Sequence, residues 1–237
     1  MEIDKSDLPM MLSCPVINVE NLSKLGASLS HDDIAMIKTV GILKKFGKKS
    51  SLVYSGESID SMVFLDKGLA KFVVTGTDGT EKTYSYFTPG CFIGDAAFFH
   101  RQPILFDLRF IEPSEVYMID RAKMNKLLER PSVVYFLLTA ISLVSRTLAM
   151  QLEDAAFRTT DEKVCRTLLC LSGNEHLRYK ASFTHQELAD LMGVHRVTVT
   201  NALASLKKEG IISMQGRGSI TVLDREKLRN RILRIKK

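Results

Sequence analysis

The spacing of apolar and polar positions divides the chain into a strand-rich part and a helix-rich part. Between residues 41 and 120, short apolar or alternating runs recur at 51–54, 62–65, 71–74 and 83–87. Turn residues separate these runs, at Gly56 and in residues 66–68, 77–79 and 89–90. Strands at this spacing predict a compact antiparallel roll or barrel, and a β-sandwich is the alternative because periodicity does not distinguish the two. Before the strands, residues 22–38 predict one or two short helices, and residues 1–22 an irregular arm.

A long apolar helix is predicted after the strands. A short helix at residues 120–124 leads into a run from about residue 132 to 157 that has no internal Gly or Pro. Apolar residues fall there on a 3–4 spacing that Gln151 interrupts: Val134, Leu137, Ile141, Val144, Leu148 and Ala155. This heptad seam predicts a dimer interface, and the alternative is that the stripe packs only on the roll of its own chain.

Residues 184–211 predict two short helices joined by a tight turn. Thr184 and Glu187 form a capping box at the start of the first helix, and Gly193 suits a turn that needs positive φ. The second helix buries apolar positions spaced i, i+3, i+4 and i+7, which are Val199, Ala202, Leu203 and Leu206. Its opposite face carries short polar and methyl-bearing side chains and a cation, which fit the DNA major groove: Arg196, Val197, Thr200 and Asn201. An ordinary helical hairpin with a solvated face is the alternative.

A β-hairpin is predicted directly after these helices. Residues 212–214 and 219–222 are β-prone and flank a Gly-containing turn, as in the wing of a winged helix, so that Arg217 at the tip would face a DNA phosphate. Upstream, Thr159 or Thr160 can cap another helix, and we expect a hinge at Phe157. The predicted fold class is α+β, with an antiparallel roll at 1–131, a dimerisation helix at 132–158 and a winged helix-turn-helix DNA-binding domain at 159–237.

The charge of the chain is concentrated in its C-terminal third. The net charge is +6, and residues 159–237 carry 15 Lys and Arg against 8 Asp and Glu, whereas residues 1–158 carry 18 against 19. A basic domain beside a neutral one suits nucleic-acid binding combined with a separate sensing task. The alternative is a solvated basic tail, because residues 225–237 alone supply seven cations.

Neither membrane insertion nor catalysis is predicted. We expect no apolar run to be as long as a membrane span, and the N-terminus lacks the basic and then apolar segments of a signal peptide. We therefore expect a cytoplasmic protein without a membrane partner. No two of the five histidines lie three or four residues apart, and the four cysteines have no CxxC spacing. We therefore predict no metal site, no cofactor and no catalytic residues. The remote alternative is a cupin-like metalloenzyme, which needs a His and carboxylate cluster, whereas the strand-rich region 41–120 contains only His100.

Several sequence blocks occur in the order roll, long helix, hinge and winged helix. They are residues 55–57 (SGE), 62–68 (MVFLDKG), 78–81 (DGTE), 89–95 (PGCFIGD) and 193–211 (GVHRVTVTNALASLKKEGI). From about residue 40 to 223 the chain thereby resembles the cyclic-AMP receptor and fumarate-nitrate regulator (Crp/Fnr) family of bacterial transcription factors. Within it, the chain looks most like the halorespiration regulators that sense chlorinated phenols. The resemblance implies a cyclic-nucleotide-binding-like roll in a homodimeric activator that binds double-stranded DNA and contacts RNA polymerase.

The chain departs from the family pattern where known ligands bind. Cyclic-nucleotide-binding members carry a Glu after the FIG turn and an Arg-Ser pair about ten residues later, where this chain has Asp95 and residues 104–106 (ILF). The family's adenine-binding Thr-Ser pair becomes Leu148 and Ala149. A buried phosphate would have no cation partner, so we predict that cyclic AMP is not the effector.

The cysteines do not match the pattern of the oxygen-sensing members. Cys14 and Cys91 are two ligands where an iron–sulfur cluster needs four, so no cluster is predicted. Cys165 and Cys170 are interpreted as small apolar core residues. Regulation through a redox-active thiol at Cys14 stays open as an alternative.

Because the chain departs from the family's known ligand sites, we hypothesise an apolar effector pocket between the roll and the long helix. Its predicted lining is Tyr84, Tyr86, Asp95, Phe98, Phe99, Ile104, Phe106, Leu137 and Ile141. Such a cavity suits a small aromatic or apolar effector. The phenol sensors carry a Lys where Asp95 stands, so a phenolate is disfavoured. A fully packed roll core, and with it a constitutive regulator that has no small ligand, is the alternative.

Two substitutions on the second helix change the expected DNA sequence. Val197 and Asn201 replace the acidic residue and the Arg with which the family usually reads bases. Valine methyls suit thymine and an Asn amide pairs bidentately with adenine, so we predict an A·T-leaning inverted repeat. The predicted DNA contacts are Thr184, His185, Gln186, His195, Arg196, Val197, Thr198, Thr200, Asn201 and Arg217. Of these, Val197, Thr200 and Asn201 would read bases, while His185, Gln186 and Arg196 would meet phosphates.

Overall fold

The protein forms two compact units in the computed structural model, which describes residues 15–172, 183–215 and 219–232. The N-terminal unit contains Pro15–Gly76 and Tyr84–Ser145, and the C-terminal unit contains Thr77–Thr83 and the residues from Arg146 onward. One boundary, after Gly76, lies between two strands, whereas the other two fall within a strand and within the long helix. Contacts alone therefore do not set apart a separate dimerisation helix, and the three-part division of the sequence stays a prediction.

Two β-sheets form the N-terminal unit. The strands are β1 (Val16–Ile17), β2 (Ile42–Phe46), β3 (Ser51–Val53), β4 (Ser61–Lys67), β5 (Ala70–Thr75), β6 (Glu81–Phe87), β7 (Phe92–Ile93), β8 (Asp107–Phe110) and β9 (Ser114–Asp120). One sheet has the order β1-β6-β5-β8-β3 and the other the order β2-β9-β4-β7. The runs predicted as strands are confirmed as β3, β4, β5 and β6. Both sheets contribute side chains that are at most 1% exposed: Met62, Val63, Phe64, Leu65, Leu108, Phe110, Val116 and Ile119.

The irregular arm predicted for residues 1–22 is wrong for its described part. Val16 and Ile17 pair in parallel with β6 and are 0% and 1% exposed. Helix α1 (Val19–Lys24) follows, with Asn18 as its N-cap. Two residues are too few to show an alternation of apolar and polar positions, so the sequence pattern did not reveal β1. Residues 1–14 lie outside the described residues.

Three further short helices belong to the N-terminal unit: α2 (His31–Val40), α3 (Asp95–His100) and α4 (Arg121–Leu128). Ser30 and Asp33 form a capping box at the start of α2. The Asp33 side chain is 1% exposed and also pairs with Arg130, which follows α4. This ion pair fastens the start of α2 to the junction between α4 and the long helix.

The long helix α5 (Pro131–Phe157) buries one side in its own chain. The residues on that side are Val133, Phe136, Leu137, Ala140 and Leu143, each at most 9% exposed. Leu137 therefore does not belong to an open seam, and this part of the heptad prediction is wrong. Apolar residues occur on both sides of α5, and their spacing does not tell which side packs within the chain.

A second heptad stripe on α5 is accessible. It consists of Val134, Leu138, Ile141, Ser145, Leu148, Leu152 and Ala155, at alternating steps of four and three residues. Leu138 and Leu152 are 58% and 72% exposed. We call these seven residues the open stripe. Leu138 and Ser145 take the places of Leu137 and Val144 of the predicted seam, and Leu152 takes the place of the interrupting Gln151, so Ser145 is the one polar position of the open stripe.

By length and composition, α5 would also be able to cross a membrane. The expectation that no run approaches the length of a membrane span is therefore wrong for this helix. Only 28% of its apolar window is buried. A single helix of this kind is weak support for a membrane segment, because a helix that packs against protein can have the same length and composition.

The described part of the C-terminal unit consists of helices and a hairpin, together with the start of β6 and the end of α5. They are α6 (Thr160–Ser172), α7 (His185–Met192), α8 (Arg196–Lys208), β10 (Ile212–Gln215), β11 (Ser219–Val222) and α9 (Arg225–Ile232). The predicted order of helix, helix pair and hairpin is confirmed. Buried apolar side chains form the core of this unit: Val164, Leu168, Leu188, Ala189, Leu191, Val199, Leu203, Leu206 and Leu228. Ala202, predicted to be buried, is partly exposed.

Local sequence signals set the starts of these helices. Thr159 Oγ1 accepts the N–H of Glu162, and the Glu162 carboxylate accepts the N–H of Thr159, so Thr159 caps α6. Thr184 and Glu187 form the predicted capping box at α7. Gly193 has a φ of +65°, the left-handed conformation that the turn between α7 and α8 requires.

Helix α5 ends at Phe157, the predicted hinge, whose side chain is 84% exposed. Ion pairs span this end, because Asp154 of α5 pairs with Arg158 and with Arg166 of α6. Burial raises the pKa of Asp154, and the two arginines act in the opposite direction. Charge thus fastens the α5–α6 junction, and movement at Phe157 stays a prediction.

Candidate nucleic-acid interface and effector pocket

The exposed face of α8 collects most of the predicted DNA contacts. His195 is the N-cap of α8 and makes no side-chain cap hydrogen bond. The exposed residues from this cap onward include His195, Arg196, Val197, Thr198, Thr200 and Asn201. Val197 is 70% exposed, whereas Val199 is fully buried. An apolar side chain open to solvent among polar ones is suited to meet a methyl group or a base edge in the major groove.

The start of α7 joins this face through one side-chain contact. His185 Nδ1 lies 2.9 Å from Thr200 Oγ1, and Thr200 Oγ1 donates to the carbonyl oxygen of Arg196 at 3.0 Å. Gln186 donates instead to Asp190 of its own helix at 2.7 Å. The residues predicted at this helix start therefore differ in role: Thr184 caps α7, His185 links α7 to α8, and Gln186 is held along α7.

The hairpin after α8 has the geometry of a wing. Strands β10 and β11 pair antiparallel, with Ile212 opposite Val222. Ile212 is 1% exposed, which anchors the hairpin in the core of the C-terminal unit. Arg217, predicted at the wing tip, lies outside the described residues.

The sequence analysis missed Lys82, a residue of the C-terminal unit. It lies in the segment Thr77–Thr83, which clusters with the DNA-binding elements. Its ammonium group donates to the carbonyl oxygen of Leu191, in the last turn of α7. Burial, and next the nearby Lys163, lowers the pKa of Lys82 to about 8. The Lys82 ammonium group thus supplies a hydrogen bond to a carbonyl oxygen at the C-terminal end of α7. No local sequence pattern indicates this contact, because 109 residues separate the two partners.

Four aromatic rings of the roll pack on one another, of which Phe87 is buried and the other three are partly exposed. The Phe106 and Phe72 rings stack with their centroids 5.3 Å apart, and the Phe106 centroid lies 4.8 Å from that of Tyr84. Phe87 meets Phe72 edge-on at 4.9 Å. We call these four residues the aromatic cluster. Tyr84 and Phe106 were predicted for the pocket, whereas Phe72 and Phe87 were not.

Two other predicted pocket residues form a separate group. The Phe98 and Phe99 rings meet edge-on at 5.2 Å, and the guanidinium of Arg121 lies 4.3 Å from the Phe98 centroid. Phe99 is 44% exposed whereas Phe98 is 1% exposed. Phe98 therefore points into the core, whereas Phe99 points toward solvent. The assignment of Phe99 to an enclosed pocket is therefore wrong.

The remaining predicted lining is mostly buried. Tyr86, Ile104 and Leu137 are at most 6% exposed, and Ile141 is partly exposed. Asp95 begins α3, and burial raises the pKa of its carboxyl group against the opposing effect of backbone hydrogen bonds and His100. A carboxylate at this position offers no attraction to an anionic effector such as a phenolate.

Cations of the neighbouring strands lie on the other face of the sheet. In the register of β5 and β8, Lys71 is opposite Arg109 and Phe72 is opposite Leu108. Because successive side chains of a strand point to opposite faces, Lys71 and Arg109 lie on the face away from the Phe72 ring. Arg109 pairs with Asp107 at 2.6 Å. The sheet face that carries the Phe72 ring therefore holds neither of these two cations, which makes it a poor site for a buried phosphate.

The described cysteines are buried. Cys91, Cys165 and Cys170 are at most 3% exposed, which confirms the core assignment of the last two. Burial raises the pKa of Cys91 and Cys165 to about 12, so both thiols stay protonated and unreactive. Cys14 lies outside the described residues. Within the described ranges, no group of three or more His, Cys, Asp or Glu residues is placed to hold a metal ion.

Comparison with known proteins assigns both parts of the chain to described domains. Residues 43–131 match the cyclic nucleotide-binding domain, and residues 162–231 match the Crp-like helix-turn-helix domain. The cAMP-activated global transcriptional regulator CRP of Pasteurella multocida (strain Pm70) is 25% identical over 182 residues. The match covers 74% of this chain and 87% of that protein.

Solved structures share the fold. CprK in complex with OCPA has a TM-score of 0.68 at 21% identity, covering 83% of this chain and 92% of that one. CLP, the c-di-GMP responsive global regulator of Xanthomonas campestris, also has a TM-score of 0.68, at 19% identity, covering 81% and 99%. Both structures share the architecture of this chain. The description of the first names OCPA as its ligand, and that of the second names c-di-GMP.

Proposed function

Since the chain belongs to the Crp/Fnr family of DNA-binding transcription regulators, we propose that it is a homodimer whose DNA binding is controlled by a small aromatic or apolar effector in the roll. Homologues and fold indicate a regulator and not an enzyme. The observation that carries the proposal is the exposed face of α8, where Val197 and Asn201 stand open to solvent beside Arg196.

The DNA sequence follows from the chemistry of this face. The Val197 methyls suit the C5-methyl of thymine, and the Asn201 amide suits the N6 and N7 edge of adenine. A two-fold dimer presents two such faces about one helical turn apart, so the site is an A·T-leaning inverted repeat. Selection from random duplexes tests this point. The expected result is a palindrome rich in A·T pairs at the contacted positions, and a G·C-rich or asymmetric site would reject it.

Homodimerisation is supported by the open stripe of α5. Leu138 and Leu152 expose most of their side chains although they lie in heptad register with Val134, Ile141 and Leu148. A second copy of the helix would bury this stripe as a coiled coil. Sedimentation at micromolar concentration is expected to show a dimer, and a monomer would contradict the proposal.

An effector other than cyclic AMP is supported by the aromatic cluster. Phe106 lies where the resemblance expects the Arg-Ser pair that holds a cyclic phosphate, and its ring stacks on Phe72. Lys71 and Arg109 lie on the opposite face of the sheet and cannot replace that pair. The apolar surroundings favour a small aromatic or apolar compound.

Control by the effector requires two states of different affinity. An effector that binds one state more tightly shifts the equilibrium by that difference in affinity, and DNA affinity follows through linkage. We place the movement at Phe157, where α5 ends. By analogy with the family, the regulated state activates transcription together with RNA polymerase, in the cytoplasm.

A ligand screen tests the effector proposal. Native mass spectrometry of protein purified without oxygen would reveal a co-purified organic compound, and thermal-shift assays would then compare small aromatic compounds with cyclic AMP. We expect aromatic compounds to raise Tm and cyclic AMP to leave it unchanged. Stabilisation by cyclic AMP alone would overturn the proposal.

A constitutive regulator is the second candidate, because the rings of Phe72, Phe87 and Phe106 already pack on one another. It predicts that no small compound changes Tm and that the purified dimer binds its DNA site at full affinity. A redox-controlled thiol at Cys14 predicts instead that a reductant changes DNA affinity and that Cys14→Ser abolishes this change.

A further inference from the structure

The hydroxyl group of Thr200 is shared between two helices at the DNA face. It lies 3.0 Å from the carbonyl oxygen of Arg196 and 2.9 Å from Nδ1 of His185. Arg196 precedes it by one turn in α8, whereas His185 is the first residue of α7. Both neighbours are close enough for a hydrogen bond, and a hydroxyl has only one proton to donate.

Hydrogen positions follow from counting donors. The carbonyl oxygen of Arg196 can only accept, and the Thr200 hydroxyl donates its proton to it. If His185 Nδ1 had no proton, two acceptors would then face each other at 2.9 Å. The arrangement is satisfied when Nδ1 carries a proton and donates to Thr200 Oγ1. His185 then keeps Nε2 as its second polar atom.

The methyl group of Thr200 is the part of the side chain that stays uncommitted. With the hydroxyl turned toward Arg196 and His185, its proton is not available to a base. The residue is exposed and lies on the same face as Val197 and Asn201. We propose that His185 is a positioning residue, which fixes Thr200 so that its methyl group meets the C5-methyl of a thymine. This inference rests on the proposed base reading by α8.

A pair of variants at Thr200 separates the two halves of its side chain. Thr200→Val removes the hydroxyl but keeps the methyl in place without the bond to His185, because valine has one strongly preferred χ1 rotamer in a helix. Thr200→Ser keeps the hydroxyl and removes the methyl. On the site selected by the wild type, we expect Thr200→Val to bind within about 2-fold and Thr200→Ser to lose about 4-fold per half-site, the value of one buried methyl group. The reverse order of the two variants would overturn the inference.

Deoxyuridine in the DNA identifies the partner methyl. Replacing a single thymine of the half-site by deoxyuridine removes only its C5-methyl. For one thymine, the wild type and Thr200→Val should lose affinity, while Thr200→Ser should show no further loss. Equal losses for all three proteins at every thymine would mean that the two methyl groups do not meet.

His185 is tested by two amides of different length. In His185→Asn the amide nitrogen takes the place of Nδ1 and can still donate to Thr200, whereas in His185→Gln it reaches the position of Nε2. We expect His185→Asn to retain the discrimination between thymine and deoxyuridine, and His185→Gln to lose it. Loss in both variants would be at odds with the positioning role, and thermal denaturation controls for folding.

Nitrogen-15 NMR of the free protein keeps the inference testable without DNA. A wild type that selects no DNA sequence would reject the proposed base reading. The tautomer of His185 would still show whether His185 donates a hydrogen bond to Thr200, because this donation requires a proton on Nδ1. A neutral imidazole with its proton on Nε2 would overturn the inference on its own.

Discussion

Phe106 stacks on Phe72 with ring centroids 5.3 Å apart and ring planes inclined by 29°. This contact places an aromatic ring in the segment where cyclic-nucleotide-binding relatives of the family hold the phosphate. Offset stacked pairs stabilise beyond the area that they bury, so this contact stabilises the segment around Phe106. A ligand of the kind we propose would have to compete with, or add to, this ring packing.

Removal of the Phe106 ring should leave a cavity. Because the side chain is partly exposed, we expect Phe106→Ala to lower the free energy of unfolding by about 3 kcal/mol, at the low end for a buried Phe. The apolar space should accept a small aromatic compound such as benzene or indole, as engineered apolar cavities do. Chemical denaturation measures the first effect, and the rise of Tm with added compound measures the second.

Leu105→Ala is the matched control for this prediction. Leu105 precedes Phe106 and is 73% exposed, so its truncation should change stability by less than about 0.5 kcal/mol. Similar losses in the two variants would show that the segment, and not the ring of Phe106, carries the effect.

The open stripe of α5 predicts which leucine holds a dimer together. Leu138→Glu should weaken association about 100-fold, because two leucines per dimer would each forfeit at least about 1.5 kcal/mol of burial. Sedimentation equilibrium measures the change in Kd directly. A charged residue on this exposed position should leave the fold of the single chain intact.

Two controls separate the open stripe from the seam expected from spacing. Arg146→Glu adds the same side chain at an exposed position outside the stripe, and should leave the dimer Kd unchanged within a factor of a few. Leu137→Ala removes a buried side chain, so it should lower stability by about 2–5 kcal/mol while association persists. Dissociation by Leu137→Ala without loss of stability would restore the original seam.

Asn201 predicts a change of DNA specificity. Asn201→Arg should raise affinity for half-sites with guanine at the contacted position by about 10-fold, because arginine pairs bidentately with guanine. Selection from random duplexes checks the shift in sequence. Ala204→Arg adds the same charge to an exposed position one turn further along α8, and should raise affinity for all sequences alike.

Local signals made the DNA-binding face predictable from the sequence. The capping box of Thr184 and Glu187, the turn at Gly193 and the burial of Val199 depend on residues a few positions apart. Such signals fix where α7 and α8 begin and which side of α8 is exposed. The hydrogen bond between His185 and Thr200 was missed, because it requires the angle between the two helices.

The pocket was harder to predict, because its residues meet through the order of strands. Phe72 reaches Phe106 and Phe87 because β5 pairs between β6 and β8, and the spacing of apolar residues contains no information on that order. The predicted seam on α5 was partly wrong for a related reason. Leu137 and Leu138 are equally apolar, and only the packing of the chain decides that the first is buried.

Asp33 predicts a loss of stability in acid. Burial alone would raise its pKa, but hydrogen bonds from the backbone and hydroxyl of Ser30, from Ser132 and from Arg130 lower the pKa from 3.8 to about 2. A carboxyl group whose pKa is lower in the folded state stabilises that state at pH values above its unfolded pKa. This contribution, about 2 kcal/mol, should disappear as the pH falls from about 4 to about 2.

Two asparagine variants test the contribution of Asp33 to acid stability. Asp33→Asn should destabilise the protein at pH 7 and flatten the pH dependence of unfolding between pH 4 and 2, because the amide cannot ionise. Asp32→Asn changes the exposed neighbouring carboxyl group and should leave both the stability and its pH profile close to those of the wild type. Urea denaturation across this pH range measures all three proteins. If Asp33→Asn kept the wild-type slope, the acid sensitivity would have to come from another carboxyl group, and the pairing of Asp33 with Arg130 would not stabilise the junction of α2, α4 and α5.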